Sequence, residues 1–276
     1  MEHYILSDGF KIPKVGFGTA RFNGIDAARR IEMALNNGYR LIDSAYNYEN
    51  EGAVGKAIRS SGIPRHEITV TSKLPGRHHD YDNAMKAIEE SVLRMGLDYI
   101  DLYLIHWPNP FEDKYVEAWK ALIDAQKAGL IRSIGTSNFL PEHIDRLEKE
   151  TGVLPVINQV EMHPYFNQEE QREYNTSKGI ITEAWGPVGQ KNEILNEQDI
   201  IDIANKHGKT PAQVILRWET QLGVLPIPRS SHAGRQKENL NIFDFELTDD
   251  EIKTINALTK DDGRNNDLDP EKYQEF

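Results

Sequence analysis

Eight short apolar runs, each followed by a longer amphipathic stretch, predict an α/β chain folded as a (β/α)8 TIM barrel. Length is a second observation. The 276 residues fit one barrel, which usually takes roughly 250, better than two joined domains, so 1–276 reads as a single barrel domain. A third is that several runs end in, or are closely followed by, a polar residue able to carry charge or a proton. Strand C-termini converge on one face of a barrel, so such residues can share a pocket although they lie far apart in sequence.

The stretch 4–12 has two short β-like arms around Asp8-Gly9, a pair that suits the positive φ of a tight turn, and reads as an N-terminal β-hairpin. The barrel strands follow near 15–18, 41–43, 68–73, 100–106, 131–137, 156–161, 180–185 and 224–227, with helical patterns between them. Thr210 places a capping hydroxyl before Pro211 at a first helical position, and Thr248 with Glu251 has capping-box spacing. After the last helical pattern, the polar, glycine-containing stretch 260–276 reads as a C-terminal loop. The alternation favours a closed barrel over an open doubly wound sheet without itself fixing closure. The motifs agree: Gly16-Phe17-Gly18 is followed by Arg21 where a dinucleotide fingerprint needs its third glycine, and no Walker loop occurs.

Composition narrows the function. A net charge of −12 disfavours nucleic acid as a partner, because phosphate-backbone binders display a basic face. The absence of cysteine removes disulfides, thiolate nucleophiles and cysteine-ligated metals. No cationic leader precedes a long apolar stretch, and no run of about 18 apolar residues occurs. The expectation is a cytoplasmic protein acting on a small molecule, with no membrane association and no protein partner evident. Glu161, His163, His78 and His79 lack HExxH or comparable ligand spacing, so no metal is expected.

The polar residues at the strand ends are Asp43, Lys73 and His106, with Tyr48 five residues beyond Asp43. Tyrosine, with a reference pKa of about 10, is a poor acid near neutral pH. A nearby lysine cation favours tyrosinate, a histidine can hydrogen-bond at the same place, and an aspartate can keep the lysine charged and oriented. Together they make a proton donor for a carbonyl oxygen becoming an alkoxide. What they lack is a hydride.

Three motifs bear on that gap: GYRLIDSAYNYENE at 38–51, MGLDYIDLYLIHWP at 95–108, and IPRS at 227–230 with Arg235, Glu238 and Asn239. On these the chain resembles the aldo-keto reductase family from end to end. The resemblance implies a barrel that binds extended NADPH without a Rossmann domain and reduces an aldehyde, ketose or small dicarbonyl. Tyr48 is then the acid, tuned by Lys73 and Asp43, and His106 orients the carbonyl; neighbouring Tyr46 lacks the family's spacing from Asp43. Ser137, Asn138 and Gln159 are expected at the nicotinamide carboxamide, Trp185 beneath the ring, and Gly18 and Thr19 nearby. Gly186, Pro187, Val188 and Gln190 are expected along the pyrophosphate. Arg229, Ser230, Ser231 and Arg235, with Glu238 and Asn239, are expected around the adenosine 2′-phosphate. Ala20 and Trp107 join Tyr48 and His106 as substrate-binding residues, and the C-terminal loop is expected to fold over the barrel mouth.

Within the family, AWGPVGQ at 184–190 and HGKTPAQ at 207–213 look most like the bacterial 2,5-diketo-D-gluconate reductase group. Arg229 stands where relatives usually carry lysine, and Ala20 where many carry an aromatic residue. Two other readings stay open at this point: a cofactor-binding regulatory subunit with little turnover, and a metal-dependent barrel hydrolase.

Overall fold

The hairpin forms about Asp8-Gly9: β1 (His3–Ile5) pairs antiparallel with β2 (Lys11–Pro13), and Gly9 takes a φ of +87°. This computed structural model describes residues 2–189, 193–265 and 268–276. The parallel strands are β3 (Phe17–Gly18), β4 (Leu41–Asp43), β5 (Thr69–Leu74), β6 (Ile100–Ile105), β7 (Ile131–Ser137), β8 (Ile157–Glu161), β9 (Ile181–Trp185) and β10 (Leu225–Pro226). They lie side by side in chain order, each within two residues of its expected bounds. Closure is made by backbone: Gly16 N–H donates to the Pro226 carbonyl (2.9 Å) and Gly18 N–H to that of Pro228 (3.2 Å).

That seam explains the two glycines that resemble half of a dinucleotide fingerprint. A Cβ at Gly16 would lie 2.8 Å from Ile227 Cγ2, and one at Gly18 2.9 Å from the Ile227 carbonyl oxygen. Both residues are small so that the first and last strands can touch.

Successive side chains of a strand point to opposite faces, so one parity of each strand fills the barrel. Leu41, Leu102, Leu104, Ile157, Leu225 and Ile227 form one interior cluster, which Leu6 and Ile12 of the hairpin join from below. The Tyr4 hydroxyl lies 3.2 Å from the carbonyls of Thr220 and Val224, and Ser133 Oγ donates to Asp8 (2.6 Å), so the hairpin is also tied to the barrel by polar contacts. The outward parity packs against the helices, among them α1 (Gly24–Asn36), α2 (Glu51–Ser60), α3 (Tyr81–Met95), α4 (Tyr115–Lys127) and α5 (Pro141–Thr151). Continuing in chain order are α6 (Glu169–Ser177), α7 (Gln198–His207), α8 (Pro211–Gln221), α9 (Ala233–Leu240) and α10 (Asp249–Asn256). The expected caps form: Thr210 pairs reciprocally with Gln213 at the start of α8, and Thr248 with Glu251 at α10. Among the described residues no helix is long and apolar enough to cross a membrane.

Among the described residues the C-terminal stretch has no regular strand or long helix, as expected. It leaves the barrel flank where Lys260 N–H donates to the Tyr165 carbonyl (2.9 Å) and ends across the mouth, with Tyr273 against Trp107 at a centroid distance of 4.5 Å.

One buried glycine conflicts with local propensity. Gly55 sits inside α2, where alanine is favoured by about 1 kcal/mol. Its Cβ would overlap the Met95 carbonyl at the end of α3. Overpacking typically costs about 1–3 kcal/mol, so the collision wins. Gly55→Ala is expected to lower the melting temperature by several degrees. Gly52→Ala, whose Cβ would meet the Arg94 carbonyl at an ordinary 3.6 Å, should be neutral or slightly stabilising. Two similar thermal melts would show that α2 and α3 are not in this close contact.

Candidate active site

The inward parity that packs the barrel also builds its mouth. Two residues beyond Leu41 on the inner face stands Asp43; two beyond Leu104 stands His106; two beyond Ile157 stands Gln159; two beyond Ile227 stands Arg229. Lys73 and Asp43 come from neighbouring strands in register, with Asp43 opposite Thr71. Tyr48 arrives from a short 3-10 turn, Tyr46–Tyr48, that follows β4.

Lys73 is fully buried and Asp43 is 2% exposed. The ammonium donates to both Asp43 oxygens (2.8 and 2.7 Å) and to the Ser44 carbonyl (2.8 Å), which uses its three protons. Burial works against its charge, but the charge and hydrogen bonds of Asp43, helped by Tyr48, raise its pKa above the ordinary value. The cation lies 5.2 Å from the centroid of the Tyr48 ring. The His106 ring meets Tyr48 edge-on, with centroids 5.8 Å apart.

The balance at Tyr48 differs from the simple expectation that lysine pulls the phenol towards tyrosinate. Burial dominates and raises its pKa; Lys73 opposes, while Asp43 and Glu275 add to the rise. The resting residue is therefore a neutral phenol, the form a proton donor needs, with a cation placed to stabilise the anion left after transfer. Tyr46 is turned elsewhere: its hydroxyl accepts from Arg94 (2.7 Å) and its ring lies under that guanidinium.

Asp43, Tyr48 and His106 open onto a cleft of about 640 Å³ that Ala20 and Trp107 also line. Of the expected cofactor residues, Gly18, Ser137, Asn138, Gln159, Trp185, Gly186, Pro187, Val188 and Arg229 line it as well. Thr19 is instead buried, its hydroxyl donating to the Asp43 carbonyl (2.8 Å). Asn138, at a left-handed φ of +61°, donates to the His106 carbonyl (3.0 Å) and accepts from the Trp185 indole (2.8 Å). Both ends of its amide are thus held by protein. The Gln159 amide nitrogen donates to Asp43 and Glu183 (2.9 Å each), leaving its carbonyl oxygen as the acceptor it can offer. Gln190 lies outside the described residues.

At the outer end of the cleft, Arg229 donates to the Ala20 carbonyl (2.9 Å), and burial together with the charges of Arg21 and Arg30 pulls its pKa down. Among the described residues neither Arg21, Arg229 nor Arg235 has an ion-pair partner, in a chain of net charge −12. Arg235 Nε points to Ser230 Oγ (3.4 Å), beside exposed Ser231. Unpaired guanidiniums and hydroxyls suit a phosphorylated ligand, so the donor set fits the adenosine end of NADPH. Glu238 and Asn239 are less available: the Glu238 carboxylate accepts from Thr210 (2.6 Å) and Asn239 is buried.

Two acidic residues escape sequence reasoning. Glu275 reaches His106 from the C-terminal loop, and Glu183 lies fully buried on the inner face of β9 beneath Gln159. A glutamate interrupting the apolar run 180–185 was a usable signal for the second; nothing in the tail marked the first. Among the described residues no group of three or more His, Cys, Asp or Glu could hold a metal ion. Glu161 and His163 instead bind each other (2.9 Å) and Asn265.

Fold and mouth together define a barrel enzyme with its site at the strand C-termini. The chain belongs to the Aldo/keto reductase family, whose profile matches residues 14–260. It is 46% identical to 2,5-diketo-D-gluconic acid reductase B of Corynebacterium sp., over 98% of this chain and 97% of that protein. It is 42% identical to the methylglyoxal reductase DkgA of Escherichia coli, over 97% of this chain and 96% of that one. A solved structure of a Gox0644 mutant in complex with NADPH superposes with a TM-score of 0.94 at 40% identity, covering 99% of this chain and 98% of that chain.

Glu183 gives the site a pH signature. Burial and the Asp43 charge push its pKa up to about 8, against the pull of Gln159 and Lys73. An unfolded glutamate releases its proton near 4.5, so the folded state holds the extra proton between those values. The associated stability is present below that window and is lost as pH rises through it, by about 1.4 kcal/mol per pH step. Glu183→Gln keeps an acceptor for Gln159 and removes the titration. Its melting temperature relative to wild type should climb from pH 5 to about pH 8 and then level off. A difference that does not vary with pH would mean Glu183 ionises normally.

Proposed function

We propose that the chain reduces the carbonyl of an aldehyde, ketose or small dicarbonyl to an alcohol, with Tyr48 as the general acid. Family membership makes it an NADP(H)-dependent oxidoreductase, and bound NADPH supplies a hydride from nicotinamide C4 to the carbonyl carbon. The observation that carries the reading is the buried Lys73–Asp43 pair set behind a neutral Tyr48 at the floor of the cleft.

In this reading His106 and Tyr48 hold the carbonyl oxygen between them, which points the carbon towards the cofactor. As negative charge grows on that oxygen, Tyr48 gives up its proton. Lys73 stabilises the tyrosinate, and Asp43 keeps Lys73 charged and in place. Solvent then restores the phenol. Trp185, fixed by Asn138, is the platform for the nicotinamide, with Ser137 and Gln159 at its carboxamide. Arg229, Arg235, Ser230 and Ser231 hold the 2′-phosphate. The whole chain, 1–276, acts as one barrel domain. The substrates named for the two reductases above, 2,5-diketo-D-gluconic acid and methylglyoxal, head the panel of carbonyls to be tried.

Tyr48→Phe removes the transferable proton and little else. Carbonyl reduction should fall about a hundred- to ten-thousandfold, while NADPH binding, followed by fluorescence titration, stays close to wild type. Near-normal turnover with binding intact would remove Tyr48 from the mechanism. Tyr46→Phe should be mild.

Arg235→Ala should weaken NADPH roughly ten- to a hundredfold and leave NADH almost unchanged, because only NADPH presents the 2′-phosphate to a charged donor. Equal loss for both cofactors would place Arg235 away from that phosphate.

A further inference from the structure

Glu275 is 7% exposed, and a buried carboxylate demands partners. Its partners come from three loops of the barrel mouth. Oε1 accepts from Asn47 Nδ2 (2.7 Å), after β4, and lies 2.6 Å from His106 Nδ1, at the end of β6. Oε2 accepts from the Gly76 N–H (3.1 Å), after β5. The backbone is clamped as well: Asn109, fully buried, donates to the Glu275 carbonyl (2.7 Å) and accepts from its N–H (3.0 Å). A Cβ at Gly76 would fall 2.7 Å from Asn109 Cγ, so the strap passes here only because position 76 has no side chain.

We infer that Glu275 is a positioning residue of the reaction, fixing the His106 ring by its Nδ1 edge so that Nε2 is left to face the substrate oxygen. The inference rests on the reading of His106 given above. A carboxylate accepts hydrogen bonds and donates none, so the imidazole nitrogen facing it carries a proton. With Nδ1 protonated, the other nitrogen accepts when the ring is neutral and donates when it is charged. Nδ1 makes no well-aligned hydrogen bond in this state, so the contact with Glu275 acts through charge and proximity. With Nδ1 held against the carboxylate, the ring lines the cleft in one orientation, with Nε2 the nitrogen free to meet a substrate oxygen.

The other ionisable groups around this pair do not supply the same charge. His79 is buried, and its pKa is driven down to about 4, so it is neutral. Tyr48 and Tyr273 are both raised, chiefly by burial. Arg77 donates to Asn47 and to the Phe276 carbonyl. Burial opposes the charge on Glu275, and His106, Asn47 and Gly76 together outweigh it, leaving its carboxyl below the ordinary range.

The test compares Glu275→Gln and Glu275→Asp in the wild-type chain with Glu275→Gln in a His106→Ala background. Turnover, KM for the carbonyl and NADPH affinity are followed with methylglyoxal and NADPH. Glu275→Gln is expected to lower kcat roughly five- to tenfold, the gap between charged and neutral hydrogen bonds. It should leave NADPH affinity unchanged. Glu275→Asp, which keeps the carboxylate, should return kcat towards its wild-type value. In the His106→Ala background Glu275→Gln should cost nothing further. An equal loss in both backgrounds, or no rescue by Glu275→Asp, overturns the inference and leaves Glu275 as a tie for the strap. A fully active His106→Ala enzyme would remove the reading of His106 itself, a result distinct from failure at Glu275.

Discussion

The Asp43–Lys73 ion pair is the contact on which the site depends. Both residues are buried at the top of the barrel, where removing one would leave the other charge uncompensated at a cost of about 3–5 kcal/mol. Its neighbours are therefore arranged to satisfy it. Ser44 takes the third lysine proton, Gln159 donates to the aspartate, and Glu183 next to them avoids adding a second negative charge by staying protonated near neutral pH. The pair also fits the proposed role of Tyr48 as an acid: its phenol is kept neutral by burial, and a cation stands 5.2 Å from the ring to receive its anion.

The opposite end of the cleft is organised by a surplus of charge. Arg21 and Arg229, which line the cleft, and Arg235, against Ser230, stand without carboxylate partners among the described residues, although the chain as a whole is acidic. The cleft thus joins a site of balanced charge at its floor to an anion-attracting rim. Such polarity suits a long ligand that carries phosphate at one end and reacts at the other.

Much of this was legible from strand parity. Once a run such as 68–73 or 100–106 is taken as a strand, Lys73 and His106 follow as inward residues at its end, and the motifs supply Tyr48. The seam was hidden because Gly16 and Gly18 act through the space they leave beside Ile227, a contact some 210 residues away in sequence. Glu275 was hidden for a similar reason: its partners Asn47, Gly76, His106 and Asn109 are scattered over three loops. The expected direct contacts of Thr19 and Asn138 also needed coordinates, since only these reveal that the Thr19 hydroxyl and the Asn138 amide already have protein partners.

The seam between β3 and β10 has a kinetic meaning as well. It joins β3 to a strand that leaves the ribosome about 200 residues later, so the entropy of closing a long loop falls on the step that shuts the barrel. Until then the growing sheet is open, with β3 at one edge and the newest strand at the other, each an invitation to pair with another chain. The last strand is a two-residue segment, Leu225–Pro226, and the glycines opposite it leave no side chain that must be moved aside. A brief, smooth final edge lets the circle shut without undoing what has already packed.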